Sequence, residues 1–144
     1  MFSPSREDAR RGFFEVWRKY QAHEPVADME AMLLEVILQH PEYHALLAKP
    51  DHYQDRDFAP EHGETNPFLH MSLHLAINEQ LSIDQPPGIK QRYQTLLAQH
   101  GEAHAAQHDI MECLAEIIWR AQREQMPFDA AVYLKCIAEQ ARKT

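Results

Sequence analysis

Apolar side chains recur at helical spacing along nearly the whole chain, and polar side chains fill the positions between them. No stretch between turn signals alternates apolar and polar residues as a half-buried strand does. Prolines and glycines interrupt the helical pattern, most clearly at Pro41, at residues 86–88 and at Pro127. The pattern therefore predicts an all-α protein, a compact helical bundle of five to seven helices that forms a single domain over residues 1–144.

The most apolar stretch runs from Asn66 to Asp84. Asn66 can cap a helix with its side-chain oxygen, and Pro67 suits the first helical position, where a missing N–H costs nothing. At about 100° per residue its apolar residues fall on nearly every side of the helix. They are Phe68, Leu69, Met71, Leu73, Leu75, Ile77 and Leu81. We expect this segment to be the central helix, with little of its circumference facing water.

Further apolar stripes predict the remaining helices. They cover residues 3–22, 28–40, 41–48, 89–99, 101–126 and 130–143. Asp28 and Asp129 are expected to cap two of them. Residues 49–65 show no sustained periodicity and predict a long connection. Its His52 and His62 are outside candidates for function, the alternative being solvated loop histidines.

Two helices each carry a pair of histidines one turn apart. His70 and His74 lie on the central segment, and His104 and His108 lie in or beside the apolar arc of residues 101–126. One helical turn brings such side chains within about 5 to 6 Å at Cβ, which lets both imidazoles ligate one metal ion. Burying imidazoles without partners would cost several kcal/mol. Because helical bundles build metal sites from inward side chains on facing helices, the sequence predicts that these four residues converge on a metal ion.

Neighbouring polar residues extend this hypothesis. Glu112, at the edge of the arc, could provide an oxygen ligand or a hydrogen bond to a ligand, and His100 could join if its helix continues through Gly101. Imidazole-rich ligation is compatible with Zn²⁺, Fe²⁺, Ni²⁺ or Cu²⁺. An ion with an open coordination position would activate water or bind O₂, whereas a filled site would be structural. The sequence does not choose between these roles.

The alternative is a polar core layer without any ion. The imidazoles would then bond to the backbone or to Asn78, Glu30 or Glu35 and fix the register of the helices. In that case the protein is a non-catalytic protein–protein interaction module. The apolar circumference of the central helix and the narrow apolar face of the last helix also predict a homodimer.

Composition limits the partners and the compartment. The net charge of −8 argues against binding to nucleic acid or to an anionic membrane surface. Cys113 and Cys136 lack CxxC spacing, so we expect reduced thiols in a reducing compartment. With no apolar signal region and no run of membrane-spanning length, the expected location is cytosolic.

Two blocks of sequence are similar to a known family. NPFLHMSLHLAINEQ and LLAQHGEAHAAQHDIMECLAE resemble the bacterial proteins grouped as domain of unknown function 1841, and the similarity extends over nearly the whole chain. This resemblance implies a small cytosolic bacterial helical protein. It implies no established activity and assigns no role to any residue. Whether the protein is an enzyme is therefore left open, since the sequence also lacks a nucleophile-elbow motif and a phosphate-binding glycine motif.

Overall fold

The computed structural model describes residues 6–56, residue 58 and residues 66–143, and these residues form helices without any strand. The α-helices are α1 (Arg6–Gln21), α2 (Asp28–Leu38), α3 (His44–Leu47), α4 (Pro50–Tyr53), α5 (Pro67–Ile83), α6 (Ile89–His100), α7 (Ala103–Glu124) and α8 (Ala130–Arg142). The all-α prediction is confirmed. The count exceeds five to seven because the described part of the predicted connection begins with the one-turn helix α4.

The chain divides into two compact units, Met1–Leu75 and Ala76–Thr144, with the boundary inside α5. The expectation of a single domain stays a prediction. Among the described residues, no helix combines the length and the apolar character that a membrane crossing requires.

The first unit has its own core, in which α1 contacts both α2 and α3. The buried apolar residues of this core are Phe13, Phe14, Val16, Trp17, Val36, Ile37, Leu47, Phe68 and Met71. Arg10 of α1 is also buried, at 2% exposure, and its Nη1 donates hydrogen bonds to the backbone oxygens of Tyr53, Gln54 and Arg56. A charge this deeply buried needs such acceptors, so Arg10 fixes the segment after α4 against α1.

The second unit contains the end of α5 together with α6, α7 and α8, and the last three helices contact one another in pairs. Polar side chains at this end of α5 form hydrogen bonds within the unit. Gln107 Nε2 donates to Asn78 Oδ1 at 2.8 Å, and the Tyr133 hydroxyl donates to Gln80 Oε1 at 2.7 Å. Because Tyr133 is fully buried, its pKa is raised, and the phenol stays a neutral donor.

The helix α5 begins as predicted and is buried differently from the prediction. Asn66 Oδ1 accepts hydrogen bonds from the N–H groups of Phe68 and Leu69, which confirms the cap. Leu69 is nevertheless 56% exposed and Ile83 67% exposed, so the expectation that nearly every side avoids water is wrong there. Its buried positions are Pro67, Phe68, Met71, His74 and Ile77.

The expected cap of α2 is displaced by one residue, whereas the cap of α8 is confirmed. Asp28 is the first residue of α2, and the residue at the cap position is Ala27, whose N–H donates to the Glu30 carboxylate at 2.9 Å. Asp129 Oδ1 accepts a hydrogen bond from the N–H of Val132 at 3.2 Å.

The prediction of reduced cysteines is wrong. Cys113 of α7 and Cys136 of α8 form a disulfide, with their Cα atoms 5.8 Å apart. The expectation of free thiols rested on the missing CxxC spacing, but a disulfide depends on how close two Cα atoms come in the fold. The cysteines therefore do not support the expected cytosolic location, which stays a prediction.

The Asp84 carboxylate holds the start of α6. Its oxygens accept hydrogen bonds from the N–H groups of Lys90 and Gly88, and these bonds lower the pKa of Asp84 below its ordinary 3.8. Because the pKa of Asp84 is lower in the folded state, its ionised carboxylate stabilises the folded protein at pH values above the unfolded-state pKa. This stabilisation is lost as the pH falls through the folded-state pKa.

We therefore expect Asp84→Asn to lower the melting temperature at pH 7 and to match the parent protein in acid, once the pH is low enough to protonate the folded-state carboxylate. Asp84→Ala should lose more at pH 7 and stay less stable in acid, because the φ of 50° at this position strains alanine more than Asp or Asn. Thermal melts of the three proteins across this pH range are the measurement. A gap between parent and Asn variant that persists in acid would contradict the charge argument.

Candidate metal centre

Three histidines of the first unit lie close together. His70 and His74 are one turn apart on α5, and His40 lies between the end of α2 and the 3-10 turn Pro41–Tyr43. The ring centroids are 4.9 Å apart for His70 and His74, 5.1 Å for His40 and His70, and 4.8 Å for His40 and His74. The three rings therefore form a nearly equilateral triangle.

His40 is held in a defined orientation. It is 1% exposed, its Nδ1 lies 2.7 Å from the backbone oxygen of Val36, and its ring stacks on Tyr43 with an angle of 6° between the planes. A carbonyl oxygen can only accept, so Nδ1 carries the hydrogen in the neutral ring and Nε2 carries the lone pair. This is the arrangement in which a neighbouring backbone group fixes a metal-binding tautomer.

Burial differs within the group. His74 is fully buried, whereas His70 is half-buried. The ring of Tyr43 lies 6.3 Å from that of His70, and burial, with a smaller contribution from the charge of Glu42, raises the pKa of its phenol. A neutral phenol is a poor metal ligand, so Tyr43 acts as an aromatic wall beside the imidazoles.

The three imidazoles could together hold a metal ion. One ring nitrogen from each of His40, His70 and His74 can be chosen so that all three lie within 4.8 Å of one another. Nitrogens bonded to Zn²⁺ at about 2.0 Å in tetrahedral geometry lie about 3.3 Å apart. Closing the group around an ion therefore requires shifts of about 1 Å, which imidazole rings make by small rotations of χ1 and χ2.

Of the five predicted ligands, His70 and His74 lie together in the first unit. His104, His108 and Glu112 belong to the second unit. The His108 ring is 4.2 Å from the His104 ring, and Glu112 is exposed and accepts a hydrogen bond from Gln140 Nε2 at 2.9 Å. The ligand set that includes these three residues stays a prediction.

His40 was not predicted as a member. The sequence carries one weak signal for it, because His40 follows buried Val36 by one helical turn and so continues the apolar stripe of α2. Nothing in its sequence separation from His70 shows that the two rings meet. Only the packing of α2 and the 3-10 turn beside α5 places it there.

The remaining histidines of interest have other surroundings. Gly101, with a φ of 71°, ends α6 before α7 begins, and His100 Nε2 lies 2.6 Å from Asp109 Oδ2. His52 is exposed, and His62 lies outside the described residues. His44 donates from Nε2 to the backbone oxygen of Ile37, and its ring lies 4.2 Å from that of Trp17.

The residues expected to hold a metal-free polar layer are also engaged elsewhere. Asn78 accepts a hydrogen bond from Gln107, and Glu30 accepts from Lys19 Nζ at 3.0 Å. Glu35 is exposed. A hydrogen bond from Nδ1 of His40 to the carbonyl oxygen of Val36 suits such a layer.

Comparisons with known proteins identify the family of the chain and assign no residue to a site. Neither the curated proteins nor the solved structures contain a significant match to this chain. Residues 5–139, nearly the whole chain, match the family described as Domain of unknown function (DUF1841). The chain therefore belongs to the DUF1841 family, as its two histidine-containing blocks predicted.

Proposed function

We propose that this chain is a transition-metal-binding helical protein in which His40, His70 and His74 ligate one divalent ion. The observation that carries the proposal is the triangle of their rings in the first unit, with centroids 4.8 to 5.1 Å apart. Neutral imidazole is a good ligand for Zn²⁺, Fe²⁺, Ni²⁺ and Cu²⁺, whereas Mg²⁺ and Ca²⁺ prefer oxygen ligands.

The surroundings of the ligands support this proposal. His40 and His74 are buried, so their positions are set by packing before an ion arrives, and the hydrogen bond to Val36 leaves Nε2 of His40 as the coordinating atom. His70 is half-buried and gives the ion a route to solvent.

The function of a bound ion follows from how many positions the protein fills. Three imidazoles leave one tetrahedral position, which a further protein ligand fills in a structural ion and which water fills in an ion that acts as a Lewis acid. A water bound to such an ion is a hydroxide source near neutral pH.

A metal titration tests the proposal. We expect tag-free protein, stripped of metal, to bind one Co²⁺ per chain with the intense visible absorption of a tetrahedral nitrogen site, and Zn²⁺ to displace it. His40→Ala should weaken binding at least tenfold. His52→Ala is the matched control, because His52 is exposed and outside the group. Absence of saturable binding, or equal binding by His40→Ala, would refute the site.

The second candidate is the protein–protein interaction module, in which the imidazoles form a metal-free layer. The hydrogen bond from His40 to Val36 favours it, as do the exposed apolar side chains of Leu69, Ile83 and Trp119. We propose a homodimer as its first partner. Light scattering that shows only monomer at micromolar concentration would remove the homodimer, and metal-free protein of unchanged stability would favour the layer.

A further inference from the structure

A pocket of about 310 Å³ lies between α6 and α8 in the second unit. Its polar wall comes from α6, and its apolar wall comes mainly from α8. The residues that line it are Arg92, Thr95, Gln99, Ile137, Ala138, Ala141 and Arg142. Two arginines, a threonine and a glutamine thus share the pocket with apolar side chains.

Arg92 is fixed at one side of this pocket. Its Nη1 donates to the backbone oxygen of Gly88 at 3.2 Å, and a Cβ atom at Gly88 would lie 2.7 Å from that Nη1. Gly88 also has a φ of 98°, which side chains rarely adopt. The Nε atom of Arg92 is buried, and within the described part of the chain no acceptor lies within hydrogen-bond distance of it.

The charges of this pocket are unbalanced, in contrast to the rest of the acidic chain. Four other arginines lie against carboxylates: Arg11 with Asp8, Arg18 with Glu15 and Glu24, Arg120 with Glu116, and Arg123 with Glu124. The lining of the pocket contains no acid, and among the described residues no carboxylate forms an ion pair with Arg92 or Arg142. Two cationic residues that line one pocket without a counter-charge create a local preference for an anion.

We propose that this pocket binds a small organic anion, a carboxylate or a phosphate, with its charge between Arg92 and Arg142 and its apolar body against Ile137 and Ala141. Guanidinium groups bind both kinds of anion with paired hydrogen bonds. The volume is at the low end for small-molecule sites, so the apolar body is about the size of one aromatic ring. The C-terminal turn of α8 opposes an anion with about half a charge, less than the two guanidinium charges.

Four probes test the two parts of this proposal. We expect benzoate and phenyl phosphate to bind with one site per chain by calorimetry or by NMR shifts of α6 and α8. Acetate and inorganic phosphate, which lack the apolar body, should bind at least tenfold more weakly. The two phenyl probes distinguish carboxylate from phosphate. No saturation by about 10 mM of either phenyl probe, or equal binding of phenyl phosphate and inorganic phosphate, would overturn the proposal.

Two variants locate the binding. Arg142 is exposed, so Arg142→Gln should leave the fold intact and weaken phenyl-anion binding about tenfold. Arg120→Gln removes the same charge outside the pocket and should leave the affinity unchanged. Ala138→Phe, which fills the pocket without altering its charge, should also abolish binding. Equal weakening by the Arg142 and Arg120 variants would show a net-charge effect and would refute the site.

Discussion

We expect His74→Ala to abolish the difference in melting temperature between metal-loaded and chelator-treated protein. An ion that binds only the folded state stabilises it by mass action, by about 4 kcal/mol when the free ion is a thousandfold above its dissociation constant. His74 is fully buried beside His40 and His70, so its removal takes away a ligand that no solvent-exposed side chain can replace. The measurement is a pair of thermal melts, with Zn²⁺ and with chelator, for each protein.

The same melts separate the metal site from a metal-free layer. His52→Ala should keep the full difference, because His52 is exposed. If the histidines form only a hydrogen-bonded layer, His74→Ala would cost about 1 to 3 kcal/mol for an orphaned partner, with or without chelator. A parent protein whose melt does not respond to chelator would therefore contradict the metal site and support the layer.

The local signals in the sequence predicted the helices well. Asn66 and Asp129 accept backbone hydrogen bonds as expected, and Gly101 ends α6. Helix caps and helix ends depend on a few neighbouring residues, so they can be predicted from local sequence without knowledge of the fold. The buried face of α5 was less predictable, because its circumference is apolar almost throughout and only the positions of the other helices decide that Leu69 faces water.

The candidate site was predictable to the extent that it is local. The one-turn spacing of His70 and His74 made them neighbours in any helix, and their rings lie 4.9 Å apart. His40 joins them through packing of the first unit, at a sequence distance that carries no signal. The disulfide was missed for the same reason, since two cysteines 23 positions apart are brought together by the packing of α7 against α8.

We expect reduction of the Cys113–Cys136 disulfide to lower the free energy of unfolding by about 3 kcal/mol, the value for a closed loop of this length. For a protein of 144 residues this corresponds to a fall of about 10 °C in melting temperature. The bond links α7 to α8, and Cys113 is fully buried, so the loss should appear as loosening of α8. Thermal melts with and without a phosphine reductant measure it.

Cys136→Ala is the matched control, because Cys136 is the less buried partner and its replacement leaves a smaller cavity. The variant should melt near the temperature of the reduced parent, and its melt should not respond to reductant. Thiol titration of the unfolded parent should find no free thiol before reduction and two afterwards. Two titratable thiols in untreated protein, with a melt that ignores the reductant, would restore the reduced cysteines that the spacing of Cys113 and Cys136 predicts.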